Sequence, residues 1–145
     1  MSVYNNIVLG KFAPLASAVR NASQTINGQD LVDPTNSGGN RSGINTDASG
    51  LVAYLNVTVA PGVETLQLVL EEQDPASGVW SQVAASTASA VTGMVRLKCK
   101  PSITAVAPST SGVTVQDILP GTWRLRVVHS AAGNWTYSVG VVVYC

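Results

Sequence analysis

From Leu51 to Cys145 the chain repeats one unit: a short stretch of alternating apolar and polar residues, then a break of Gly, Pro, Asp or Ser. Side chains on a strand point to opposite faces in turn, so this period of two marks a strand with one buried face. In residues 51–59, Leu51, Ala53, Leu55, Val57 and Val59 share a face opposite Tyr54, Asn56 and Thr58, with Val52 the exception. Residues 65–72 place Leu66, Leu68 and Leu70 together, and residues 74–78, with their Pro and Gly, turn the chain into a returning strand over 79–84 that carries Trp80. Residues 91–100 point Val95, Leu97 and Cys99 inward and Arg96, Lys98 and Lys100 outward. A further strand is read over 113–119. In residues 122–129, Trp123, Leu125 and Val127 face in while Arg124 and Arg126 face out. Residues 135–144 set Trp135, Tyr137, Val139, Val141 and Val143 on one face. Turn signals every ~8–12 residues predict an all-β, antiparallel β-sandwich of jelly-roll-like form. No window of helical length shows helical periodicity, although residues 84–90 would tolerate a helix.

The first 50 residues read differently. Val3, Tyr4, Ile7, Val8, Leu9, Phe12, Leu15 and Val19 are apolar without a strong period, and Pro14 breaks any helix. An extended N-terminal arm, or an edge strand near residues 6–11, is expected, with a short internal strand possible over 25–31. An apolar arm needs a surface to cover, either its own sandwich or a neighbouring subunit. Residues 33–43 are almost pure turn chemistry, and long loops of this kind in compact domains are usually functional or disordered. This divides the chain into a partner-contacting segment, 1–50, and a sandwich domain, 51–145. Residues 1–14 hold one Lys and no long apolar run, so no secretory signal is expected. A chain made and used in a cytoplasm is the expectation.

Charged residues are 11% of the chain, against ~25% in typical soluble domains. Eight basic and eight acidic residues cancel. That balance argues against a coat for nucleic acid and against a polybasic membrane-surface protein. The apolar runs are too short for a spanning helix. A polar, weakly charged surface suits packing in an assembly. Cys99 and Cys145 read as free thiols, and with a single His they cannot complete a four-ligand zinc site.

Candidate chemistry is sparse. His129, with Ser130 beside it and Asp117 upstream, has the residue types of a hydrolytic triad but no nucleophile-elbow motif. Glu71 and Glu72 are adjacent on a strand and diverge, whereas Glu72 and Asp74 share a parity and have the chemistry to hold Ca²⁺. Trp80, beside a loop, is the best exposed aromatic for a sugar platform; Trp123 and Trp135 read as core. Sequons at Asn21, Asn40, Asn56 and Asn134 are what an Asn/Ser/Thr-rich chain produces by chance. The stripes Arg96/Lys98/Lys100 and Arg124/Arg126 would form one positive face if their strands were neighbours, and the acidic group 64–74 would be their natural cross-strand or inter-subunit complement. Nucleic acid is not the expected occupant, because no aromatics are interleaved with these bases along the sequence.

Four stretches carry a resemblance: Tyr54-Leu55-Asn56-Val57-Thr58; the run from Leu68 to Trp80 with its Asp74-Pro75-Ala76-Ser77-Gly78-Val79-Trp80 hairpin; Ile118-Leu119-Pro120-Gly121-Thr122-Trp123-Arg124-Leu125-Arg126-Val127; and Trp135-Thr136-Tyr137-Ser138-Val139-Gly140. Over residues 50–143 the chain resembles small β-sandwich virion proteins of tailed bacteriophages, head decoration (cement) or minor structural proteins. The resemblance implies a non-enzymatic protein without cofactor or metal. It would sit on the capsid exterior and bridge major capsid protein subunits as a dimer or trimer, away from nucleic acid and membrane. Its partner-binding residues would be Tyr4, Ile7, Leu9 and Phe12 of the arm, with Arg96, Lys98, Lys100, Arg124 and Arg126. A tail or receptor-facing module recognising host glycans is the alternative, and a small hydrolase ranks third.

Overall fold

The computed structural model describes residues 8–31 and 48–144. Among them, two sheets pack face to face. Sheet A has six strands in the order β1 (Val8–Arg20), β10 (Trp135–Tyr144), β3 (Gly50–Val59), β6 (Gly93–Cys99), β8 (Gly112–Val115) and β7 (Val106–Ser109). Sheet B has four, in the order β2 (Gln24–Asn27), β9 (Trp123–His129), β4 (Leu66–Gln73) and β5 (Trp80–Ala85). A short 3₁₀ turn, Gly28–Asp30, follows β2. The chain is an all-β sandwich. Every pairing is antiparallel except β6 with β8, which run parallel. Residues 100–111 supply the crossover that a parallel pair needs, and β7 uses it to add itself antiparallel to the far side of β8.

The inward faces match the alternation. Leu51, Ala53 and Leu55 of β3, Leu97 and Cys99 of β6, and Trp135, Tyr137, Val139, Val141 and Val143 of β10 are buried from the side of sheet A. Leu66, Leu68 and Leu70 of β4, and Trp123, Leu125 and Val127 of β9, meet them from sheet B. Trp80 leads the returning strand of the β4–β5 hairpin. Asp74 closes that turn, accepting from the Ala76 N–H (2.9 Å) and the Ser77 hydroxyl (2.7 Å). These two hydrogen bonds stabilise the charged form and hold the Asp74 carboxyl below its ordinary pKa.

The first strand departs from the expected arm. Residues 8–20 form a continuous edge strand on β10, running straight through Pro14. The ladder shifts register between Phe12 and Leu15 and again before Ala18, so the proline's missing N–H falls in an irregular stretch at a sheet edge, where it is tolerated. Phe12 lies opposite Val141 and is 5% exposed, a core residue of its own chain; Leu9 packs partly against the same core. Arg20 closes the strand. Its guanidinium donates to the carbonyls of Ala16, Ala18 and Tyr137 and lies 4.9 Å from the centre of the Tyr137 ring. Tyr4, Ile7 and the turn-rich residues 33–43 lie outside the described residues.

Candidate functional site

The two basic stripes do not merge. Arg124 and Arg126 are on β9, in sheet B, whereas Arg96 and Lys98 are on β6, in sheet A. Outward faces of opposed sheets look away from each other, so the single positive face expected from both stripes is not formed.

On sheet B the expected acidic complement is present. Glu71 lies opposite Arg124 in the β4–β9 register. Its Oε1 is 2.8 Å from Arg124 Nε and 3.7 Å from Arg126 Nη1. Arg124 also stacks on Trp80, with 4.2 Å from the guanidinium carbon to the ring centre. Part-exposed pairs of this kind contribute about 1 kcal/mol or less each, and the single Glu71 carboxylate offsets one of the two arginine charges. The stacking covers one face of the Trp80 ring. Arg124 is thus engaged by both Glu71 and Trp80, and Arg126 by Glu71.

Sheet A keeps its charge. One register row crosses all six strands on its outer face: Lys11, Val142, Val52, Lys98, Thr114 and Val106. The row beside it reads Gly140, Tyr54, Arg96, Gly112 and Ser109. Lys100, just past β6, runs its stem past Gly50, where an added Cβ would sit 2.7 Å from Lys100 Cγ, and its ammonium lies 4.2 Å from the centre of the Tyr144 ring. No described strand of sheet A contains Asp or Glu. The outer face therefore carries Lys11, Arg96, Lys98 and Lys100 with no strand carboxylate among them. The net charge of zero conceals this asymmetry: the described acids lie in sheet B, in the 3₁₀ turn and in loops. Lys11 was legible only as an arm residue, and Tyr54 as an outward aromatic that, with Tyr137 and the tryptophans, could line a sugar platform. Register alone places them on this face.

His129, Ser130 and Asp117 do not assemble. His129 Nε2 is 2.9 Å from the Tyr137 hydroxyl, at the end of the sandwich where Tyr137 lies opposite Val57. The Ser130 hydroxyl accepts from the Thr65 N–H at 2.9 Å. Asp117 belongs to the other end: its carbonyl accepts from Cys99 Sγ at 3.6 Å, and Cys99 lies opposite Leu51. Leu51 and Val57 are about 20 Å apart along β3, so this triad has no common centre. No group of three or more His, Cys, Asp or Glu is placed to hold a metal among the described residues. Asp74, the shared-parity partner proposed for Glu72, is committed to its turn. Cys99 is a free, buried thiol, pushed up to about 12 by burial, with the Asp117 and Glu72 carboxylates adding to the effect.

His129 gives a pH expectation. Burial lowers its pKa below the ordinary 6.5, so the unfolded chain takes up a proton more readily than the folded one. Stability should therefore fall as the pH drops below about 6.5 and level off once the folded imidazole is also protonated. Urea midpoints across pH 5–8 for wild type and His129→Gln check this. A wild-type slope through this window that persists unchanged in the variant would assign it to another group.

No family model matches this chain, and no curated protein matches it significantly.

Proposed function

We propose that this chain is a non-enzymatic assembly protein that docks on an acidic surface of a partner protein through the outer face of sheet A. In its specific form it is a decorating protein on the exterior of a tailed-phage capsid, bridging major capsid subunits, as the resemblance of residues 50–143 implies. One observation carries the docking reading: Lys11, Arg96 and Lys98 share a sheet face on which no described strand residue is acidic. Basic side chains gathered on a face whose described strands carry no acid steer an acidic partner and raise its association rate. The glycan-binding alternative has less support, because Arg124 stacks on one face of Trp80.

The test is binding of the purified chain to capsids that lack it, as a function of salt. The triple variant Lys11→Gln/Arg96→Gln/Lys98→Gln should associate about tenfold more slowly at low ionic strength, with the thermal midpoint of the isolated chain nearly unchanged. Arg124→Gln/Arg126→Gln should leave association unaffected, since these side chains are held by Glu71 and Trp80. Equal rates for wild type and triple variant would remove sheet A as the docking face, and no binding of wild type to any such particle would remove the virion reading.

A further inference from the structure

The outer face of sheet A is not uniformly flat. An open groove of about 240 Å³ lies between β6 and the β7–β8 hairpin, and its position follows from the pairing. Arg96 is opposite Gly112, and Gly112 is opposite Ser109. The glycine leaves a gap one strand wide between two side-chain-bearing strands. Strands are spaced about 4.8 Å, so Arg96 and Ser109 stand about 10 Å apart across it. In the neighbouring row Lys98 lies beside Thr114, and Thr114 beside Val106. The groove is lined by Arg96, Lys98, Ser109, Ser111 and Thr114, whose side chains carry hydrogen-bond donors, the Ser109 hydroxyl being engaged with the Gly112 carbonyl at 3.4 Å.

We infer that this groove is a carboxylate-binding subsite, which receives Asp or Glu side chains from an extended acidic segment of the partner protein. The inference rests on the docking reading above and gives that face a specific point of capture. Arg96 presents a planar fork suited to a carboxylate, and a charge-assisted pair of this kind is stronger than a neutral hydrogen bond. Ser111 and Thr114, on either side of Gly112 in the chain, also line the groove and carry uncharged donors. A protein segment fits better than a nucleic acid for two reasons. Among the described residues no aromatic ring lines the groove, so none of them would stack on a base within it. Val106 at the rim is 58% exposed and offers an apolar contact that a sugar–phosphate backbone would not use.

The experiment is a titration of the ¹⁵N-labelled chain with hexaglutamate, and separately with sodium sulfate and with a single-stranded oligothymidylate, at fixed ionic strength. Hexaglutamate should give saturable amide shifts centred on Arg96, Ser111, Gly112 and Thr114. Arg96→Lys keeps the charge but loses the fork, and should weaken hexaglutamate binding about tenfold. Ser111→Ala/Thr114→Val changes no charge and should weaken it about threefold. Lys11→Gln, on the same face but outside the groove, should lower the salt dependence and leave the local shifts in place. If Lys11→Gln weakens binding while Arg96→Lys and Ser111→Ala/Thr114→Val bind like wild type, the basic face docks diffusely; the docking reading then stands and the groove does not. Saturable shifts with sulfate but none with hexaglutamate would make the groove a free-oxyanion site and overturn its assignment to a protein carboxylate. Tighter binding of oligothymidylate, with shifts at Tyr54, would reassign the face to nucleic acid. No binding of hexaglutamate, sulfate or oligothymidylate would overturn the groove and the docking face together.

Discussion

Trp123→Ala should lower the unfolding free energy by about 3–5 kcal/mol, the usual cost of removing a buried Trp. That is a large share of the ~5–15 kcal/mol that holds a domain together. Trp123 is 1% exposed and opens β9 between the two layers. Its indole also meets the 3₁₀ turn, where a Cβ on Gly28 would lie 2.4 Å from Trp123 Cε2. The turn therefore seats its glycine directly on the ring, and loss of the ring leaves both the core and the turn without support. Trp123→Phe should cost less than the alanine variant. It keeps an aromatic in place and removes an indole N–H that is buried without a hydrogen-bond partner in the structure. Urea midpoints for the two variants measure this. An unchanged midpoint for Trp123→Ala would place the residue on the surface.

Gly112→Ala should be the most damaging glycine substitution of the three that isolate its causes. Gly112 has φ +140°, and a Cβ there would lie 1.8 Å from the Arg96 carbonyl oxygen. Gly93 has the same φ, +140°, but nothing within 4 Å of its Cβ position. Gly121 also has open space and no positive φ. Gly121→Ala should thus lie within about 0.5 kcal/mol of wild type. Gly93→Ala should carry only the backbone strain, about 1–3 kcal/mol. Gly112→Ala adds a collision with a backbone atom that cannot step aside without separating β8 from β6. Overpacking of that kind costs about 1–3 kcal/mol more. Amide exchange should show the extra loss concentrated in β8 and β7, which hang on the parallel β6–β8 pairing. Equal midpoints for the Gly93 and Gly112 variants would mean that β8 does not pack against β6 this closely.

Much of the sandwich was legible because local periodicity reports burial. The alternation in residues 135–144 put Trp135, Tyr137, Val139, Val141 and Val143 on the buried face, and each is 0–1% exposed. The two proline-bearing edge strands were harder to see. Residues 8–20 lacked a strong period and read as an extended arm or an edge strand near residues 6–11, and no strand was read over 106–109, which holds Pro108. Proline disqualifies a strand only where its N–H is needed, and an edge does not need it. Val59 shows the opposite failure. Its parity matched the inward face, but the β3–β10 ladder shifts between Thr136 and Tyr137, and Val59 is 52% exposed at the strand end.

The candidate site shows the same division. Sequence alone determined that Arg96, Lys98, Arg124 and Arg126 point away from the core, because each alternates with an apolar neighbour that must be buried. It also supplied Glu71 as a carboxylate near enough in kind to be their complement. Only the tertiary structure decided which strands are neighbours. It sent β9 to sheet B, where Glu71 and Trp80 occupy its arginines, and β6 to sheet A, where Lys11 joins the row and the acids are absent. The physical reason is that periodicity is a property of one strand, read within a few residues. Strand neighbourhood joins positions as distant as Lys11 and Val142, and is fixed by how all the strands together close one core.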